Sequence, residues 1–94
     1  KFDYLEKIFR AYAPEERAQV MELLEAYFAA DGSLAGTAQR LYLHKNTLQY
    51  KLRRLARLTG YDVRQPRYAA VFYMELLFYR EGRNISVPKD ENKA

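Results

Sequence analysis

The sequence predicts a small all-α domain of five helices. Three observations lead to it. Apolar residues recur at helical spacing along most of the chain. No alternating run of strand length interrupts them. Helix start and stop signals divide the 94 residues into five periodic runs. This length suits one domain, and an apolar content of 49% is enough for one modest core.

The elements follow in order. Asp3-Tyr4-Leu5-Glu6 has the form of a capping box, with Asp3 as N-cap and Glu6 three residues later. Leu5, Ile8, Phe9 and Tyr12 then recur on one face, so a short first helix ends near Tyr12. Pro14 suits a first helical position, and Glu15 and Glu16 suit the positive end of a helix dipole. Val20, Leu23, Leu24, Tyr27 and Phe28 continue the stripe, which places a second helix over residues 14–30. Asp31-Gly32-Ser33 stops it, with Ser33 as the next N-cap.

A third helix is expected over residues 34–41, with Leu34, Ala38 and Leu41 inward. Tyr42-Leu43-His44 forms a turn. A fourth helix covers residues 45–58, and Gly60 can supply a left-handed C-cap. After a loop over residues 62–65, Pro66 opens a fifth helix that runs to about Arg80 and ends by Gly82. Its run from Val71 to Tyr79 is apolar nearly all round. The expected role is a central post for the other helices; the alternative is contact with a partner chain. The domain is thus read as residues 1–82, with a helix-turn-helix over 34–58 and a flexible polar tail over 83–94.

Charge is distributed unevenly. The chain has 16 basic and 12 acidic residues. Between Asp31 and Asp62 lie Arg40, Lys45, Lys51, Arg53, Arg54 and Arg57, with no acidic residue among them. The rest of the chain is slightly acidic. A basic stripe on one helical unit is the electrostatic footprint of a polyanion site, although a charge run can also be a plain solvated face.

The fourth helix sorts its residues by direction. At about 100° per residue, Leu48, Leu52 and Leu55 fall on one side. Asn46, Gln49, Tyr50, Arg53 and Arg57 fall on the opposite half. Asn46 and Gln49 carry amides able to pair with adenine, and Arg53 can pair with guanine in a major groove. Tyr50 can stack on a sugar or donate to a phosphate. These four residues are the candidate base readers. His44, Lys45, Thr47, Arg54 and Arg57 are the candidate phosphate contacts, Lys45 and Thr47 helped by free backbone N–H groups at the helix start. Structural readings stand beside these: Asn46 as an early-turn cap, His44 as the cap, and Tyr50 packed on a neighbouring helix.

Other functions are disfavoured. The chain has no Cys, so a disulfide scaffold and a thiolate metal site are excluded, and a reducing compartment fits. His44 is the only His and has no acidic neighbour in sequence, so no metal is expected. There is no Gly-rich phosphate loop, nucleophile motif or carboxylate pair beside a base, hence no cofactor and no catalysis are expected. The nine tyrosines are spread over the helices and read as core and interface residues, not as an RNA-stacking platform. No apolar run approaches a membrane span, and no signal peptide is visible. The chain begins at Lys1 and is read as a fragment of a longer protein.

The string Thr37-Ala38-x-x-Leu41-x-Leu43-His44-Lys45-Asn46-Thr47-Leu48-x-Tyr50-Lys51-Leu52, followed by Leu58-Thr59-Gly60-Tyr61-Asp62, resembles the C-terminal helix-turn-helix of PucR/CdaR-type bacterial transcription regulators. The local spacing is also similar to the Fis-type helix-turn-helix. The resemblance covers about residues 20–78. It implies a DNA-binding domain at the end of a longer cytoplasmic regulator, an upstream sensory domain missing from this chain, and a recognition helix that carries Asn46, Thr47 and Tyr50. Lys45 and Lys51 stand where the family often has Arg, which keeps the charge but loses the bidentate fork. Tyr42 stands where related units often have Gly, and a positive φ there would strain it. Gln65 precedes Pro66 where a better N-cap is expected.

The combined reading is sequence-specific binding of double-stranded DNA by a homodimer, since one recognition helix touches few base pairs. The alternative is a protein-interaction or dimerisation module that does not touch DNA.

Overall fold

The computed structural model describes residues 2–82. The expected tail over 83–94 lies outside the described residues. Five helices form in the expected order: α1 (Tyr4–Ala11), α2 (Pro14–Ala29), α3 (Leu34–Leu41), α4 (Lys45–Thr59) and α5 (Pro66–Gly82).

The start of α1 differs from expectation. Asp3 stands at the N-cap, but its side chain makes no capping hydrogen bond, and its φ of −131° with ψ of 30° is not an extended cap geometry. Glu6 pairs with Arg10 at 2.7 Å instead of reaching back. The cap comes from the other end of the chain. The backbone N–H groups of Tyr4 and Leu5 donate to Oε2 and Oε1 of Glu75 on α5, each at 3.2 Å. A carboxylate there satisfies two of the unpaired N–H groups at the helix start and faces the positive end of its dipole. Glu75 is only 6% exposed, so α5 must be docked before α1 is capped.

The helix-turn-helix is built by α3 and α4, with α3 packed on both α2 and α4. Asp31 and Gly32 both adopt positive φ after α2, and the Gly32 N–H donates to the Tyr27 carbonyl at 2.9 Å. Ser33 caps α3 as expected, its Oγ accepting from the Gly36 N–H at 2.9 Å. A Cβ on Gly36 would lie 3.1 Å from that of Ala30, so glycine lets the first turn of α3 approach the end of α2. Tyr42 does take the left-handed conformation that would strain it: φ is 56° and ψ 42°. Gly60 takes φ 86° and closes α4.

The expected central post is not α5. The hub is α1, which packs against α2, α4 and α5. Tyr4, Leu5, Ile8, Phe9 and Tyr12 are all buried and point into different neighbours. Tyr4 stacks on Tyr61 with ring centroids 3.7 Å apart and meets the edge of Phe72 at 4.9 Å. α5 buries Phe72, Glu75 and Leu76 against this hub. Its opposite side keeps Tyr73 and Phe78 about half exposed, at 47% and 53%. An apolar surface all round α5 therefore did not mean burial all round.

Candidate nucleic-acid interface

α4 is held by one side. Leu48, Leu52 and Leu55 are fully buried, as the helical wheel requires. At the far end, Thr59 is buried and its Oγ1 donates to the Leu55 carbonyl at 2.8 Å.

The opposite side of α4 carries Asn46, Tyr50, Arg53 and Arg57, all exposed. They fall within an arc of about 60° and span about 16 Å of helix axis. Gln49 is half-buried on the flank of this stripe, so it is less available than the other candidate base readers. Tyr50 is 53% exposed and also lines a small cleft with Tyr12, Glu16 and Arg54, so its ring is partly packed and partly presented.

The start of α4 assigns the cap. Nδ1 of His44 accepts from the Asn46 backbone N–H at 3.0 Å. A neutral ring that accepts at Nδ1 carries its proton on Nε2, which leaves a donor for an oxygen outside the fold. The Asn46 side chain is thereby released from capping and makes no hydrogen bond among the described residues. Lys45 and Thr47 are exposed beside it. The first turn of α4 thus gathers His44, Lys45, Asn46 and Thr47 at its positive dipole end.

Arg54 stands apart from the stripe. Its guanidinium lies 3.4 Å from a Glu16 carboxylate oxygen and 5.0 Å from the Tyr12 ring centroid. It braces α4 against the α1–α2 corner and does not share the outward direction of Arg53 and Arg57. Burial pushes the Tyr12 hydroxyl up from its ordinary value, with nearby Arg54 pulling the other way. At the other end of α4, Arg64 holds the Asp62 carboxyl below the usual carboxylate value, through bonds of 2.9 and 3.0 Å. Among the described residues, no group of three His, Cys, Asp or Glu is placed to hold a metal ion.

Tyr42 was not among the sequence candidates. It is 95% exposed, three residues ahead of Lys45, in a conformation that glycine adopts more easily. The available signal was a large residue at a turn position that favours glycine.

The model of the PucR C-terminal helix-turn-helix domain matches residues 20–78, from α2 into α5. The chain belongs to this family. A leucine-rich protein of Streptococcus dysgalactiae subsp. equisimilis is 38% identical over 63 residues, which cover 67% of this chain and 22% of that protein. The proline-responsive transcriptional activator PutR of Bacillus subtilis is 23% identical over 74 residues, covering 79% of this chain and 18% of PutR. The DNA-binding transcriptional activator AdeR of the same organism is 23% identical over 75 residues, covering 80% and 18%. The chain spans about a fifth of the length of these relatives. No solved structure matches it significantly. The family is one of bacterial helix-turn-helix regulators that bind DNA. No helix among the described residues is long and apolar enough to cross a membrane.

Proposed function

We propose that this chain is the sequence-specific DNA-binding domain of a longer bacterial transcription regulator. It inserts α4 into the major groove and acts in the cytoplasm as a homodimer, without catalysis. The observation that carries this reading is the exposed stripe of Asn46, Tyr50, Arg53 and Arg57, backed by three fully buried leucines. A rigid helix with amide and guanidinium groups on its free side is what base-edge recognition requires. PutR and AdeR are named as transcriptional activators, which favours a regulatory setting but leaves the direction of control and the effector to the remainder of the protein.

Asn46 and Arg53 read base edges, Tyr50 contacts a sugar or phosphate, and Lys45, Thr47, His44 and Arg57 grip the backbone. With Arg54 engaged by Glu16, the outward cations on the motif are Arg40, Lys45, Arg53 and Arg57. If all four meet phosphates or the groove edge, log affinity falls against log salt with a slope of about −3 to −4.

Selection of bound duplexes from a random pool tests the proposal. One enriched motif, repeated at a helical-turn spacing, is expected. Asn46→Ala should then reduce preference for that motif more than it reduces non-specific binding, whereas Lys45→Ala should weaken both alike. Enrichment of no duplex sequence would overturn the reading.

A further inference from the structure

We infer that α5 pairs antiparallel with α5 of a second copy of this chain, about a two-fold axis at Met74. The inference rests on the dimeric reading above and names its contact surface.

The outer side of α5 is an apolar face left largely uncovered among the described residues, with the Tyr73 ring at its margin 5.2 Å from that of Phe28 on α2. Ala70, Tyr73 and Phe78 are exposed, and Val71, Met74 and Leu77 are partly exposed. Ala70, Met74, Leu77 and Phe78 lie away from buried Phe72, Glu75 and Leu76, while Val71, packed against the core, and Tyr73 border the face. An apolar helix face left open in this way is a surface that a partner can cover. Its ends carry opposite charges. Arg67 is exposed near the start of α5, its guanidinium 5.9 Å from the Tyr68 ring centroid, and Glu81 is exposed near the end. At about 100° per residue, Arg67, Met74 and Glu81 share one direction to within about 40°.

That arrangement is self-complementary in one orientation. When two copies run antiparallel with Met74 opposite Met74, Arg67 of each copy comes level with Glu81 of the other. In the same register small Ala70 comes level with large Phe78, and Val71 with Leu77. Both ion pairs form, and the bulkiest outward side chain, Phe78, meets the smallest, Ala70, across the seam. A parallel pairing would set Arg67 against Arg67 and Glu81 against Glu81. A two-fold interface requires this kind of self-complementarity. The pairing uses no residue of the outward stripe of α4.

The chain has no Cys, so a single introduced thiol can bond only to its own counterpart. Under mild oxidation the Met74→Cys chain should become a covalent dimer that still binds duplex DNA. Tyr42→Cys, more exposed than Met74 but outside α5, should stay monomeric at the same concentration. Arg67→Glu and Glu81→Arg should each weaken dimerisation roughly ten-fold by sedimentation, because each creates two repulsive pairs, and the double reversal should restore it. A Met74→Cys chain that remains reduced, or single reversals that leave dimerisation unchanged, would overturn the pairing. Failure of the DNA reading looks different: a chain that cross-links at Met74 but binds no duplex.

Discussion

α4 and α5 each bury one side and expose the other, yet their free sides are opposites. The free side of α4 is polar and basic, with Asn46, Tyr50, Arg53 and Arg57. The free side of α5 is apolar, with Ala70, Tyr73, Met74, Leu77 and Phe78. Both helices continue one small domain, so the contrast is not one of stability. On the proposed reading it separates two kinds of recognition. A polyanion is held by charges and hydrogen bonds that stay hydrated until contact. An apolar helix face gains free energy only when another apolar surface covers it.

The contrast can be tested most strongly at the buried and free sides themselves. Leu52→Ala should cost about 3 kcal/mol of unfolding free energy, because it opens a cavity at a fully buried position. Phe78→Ala should cost less than about 0.5 kcal/mol when measured in dilute protein, where the free face is uncovered. Equal losses in urea titrations would remove the distinction between the two helices.

The next largest effect concerns how α5 is tied to the domain. Glu75→Ala leaves the Tyr4 and Leu5 N–H groups without their acceptor and should cost about 2 kcal/mol. Amide exchange should then accelerate at the start of α1 before it does in α4. Uniform acceleration would show that the carboxylate does not act as a local cap.

A smaller effect lies in the connection between the helices. Bonds from Arg64 lower the Asp62 carboxyl below its ordinary value of 3.8. A lowered carboxyl contributes stability that is fully present above 3.8 and is lost as pH falls through the lower folded value. Asp62→Asn should therefore cost about 1 kcal/mol at neutral pH. The difference from the parent chain should shrink below about pH 4, the carboxyl's unfolded value. A difference that persists unchanged into strong acid would assign the effect to packing.

The smallest effect is a gain. Tyr42→Gly relieves a positive φ at an exposed position and should raise stability by about 0.5 kcal/mol, the left-handed cost less the entropy of glycine. Loss of stability would mean that the Tyr42 ring makes contacts that offset its backbone strain.

Much of α4 could be read from the sequence because its residues are strongly divided in polarity. The three leucines declared one side, and the amide and guanidinium groups declared the other. Two details were not legible there. Whether Asn46 or His44 capped the helix depended on backbone direction at the turn, and the structure gives the cap to His44. Arg54 was expected at a phosphate, but Glu16, 38 residues away in sequence, holds it inward. α5 offered no such division. Its apolar surface runs all round, so periodicity could not say which side would be buried or that α1 would be the hub.

By itself the sequence determined the five helices, the helix-turn-helix and the exposed polar side of α4, because these rest on local spacing, turn residues and one-sided hydrophobicity. The tertiary structure alone decided the capping of α1 by Glu75, the inward turn of Arg54 and the free face of α5. Each depends on groups far apart in the chain that meet only after the helices dock, and neither periodicity nor propensity carries information about such meetings.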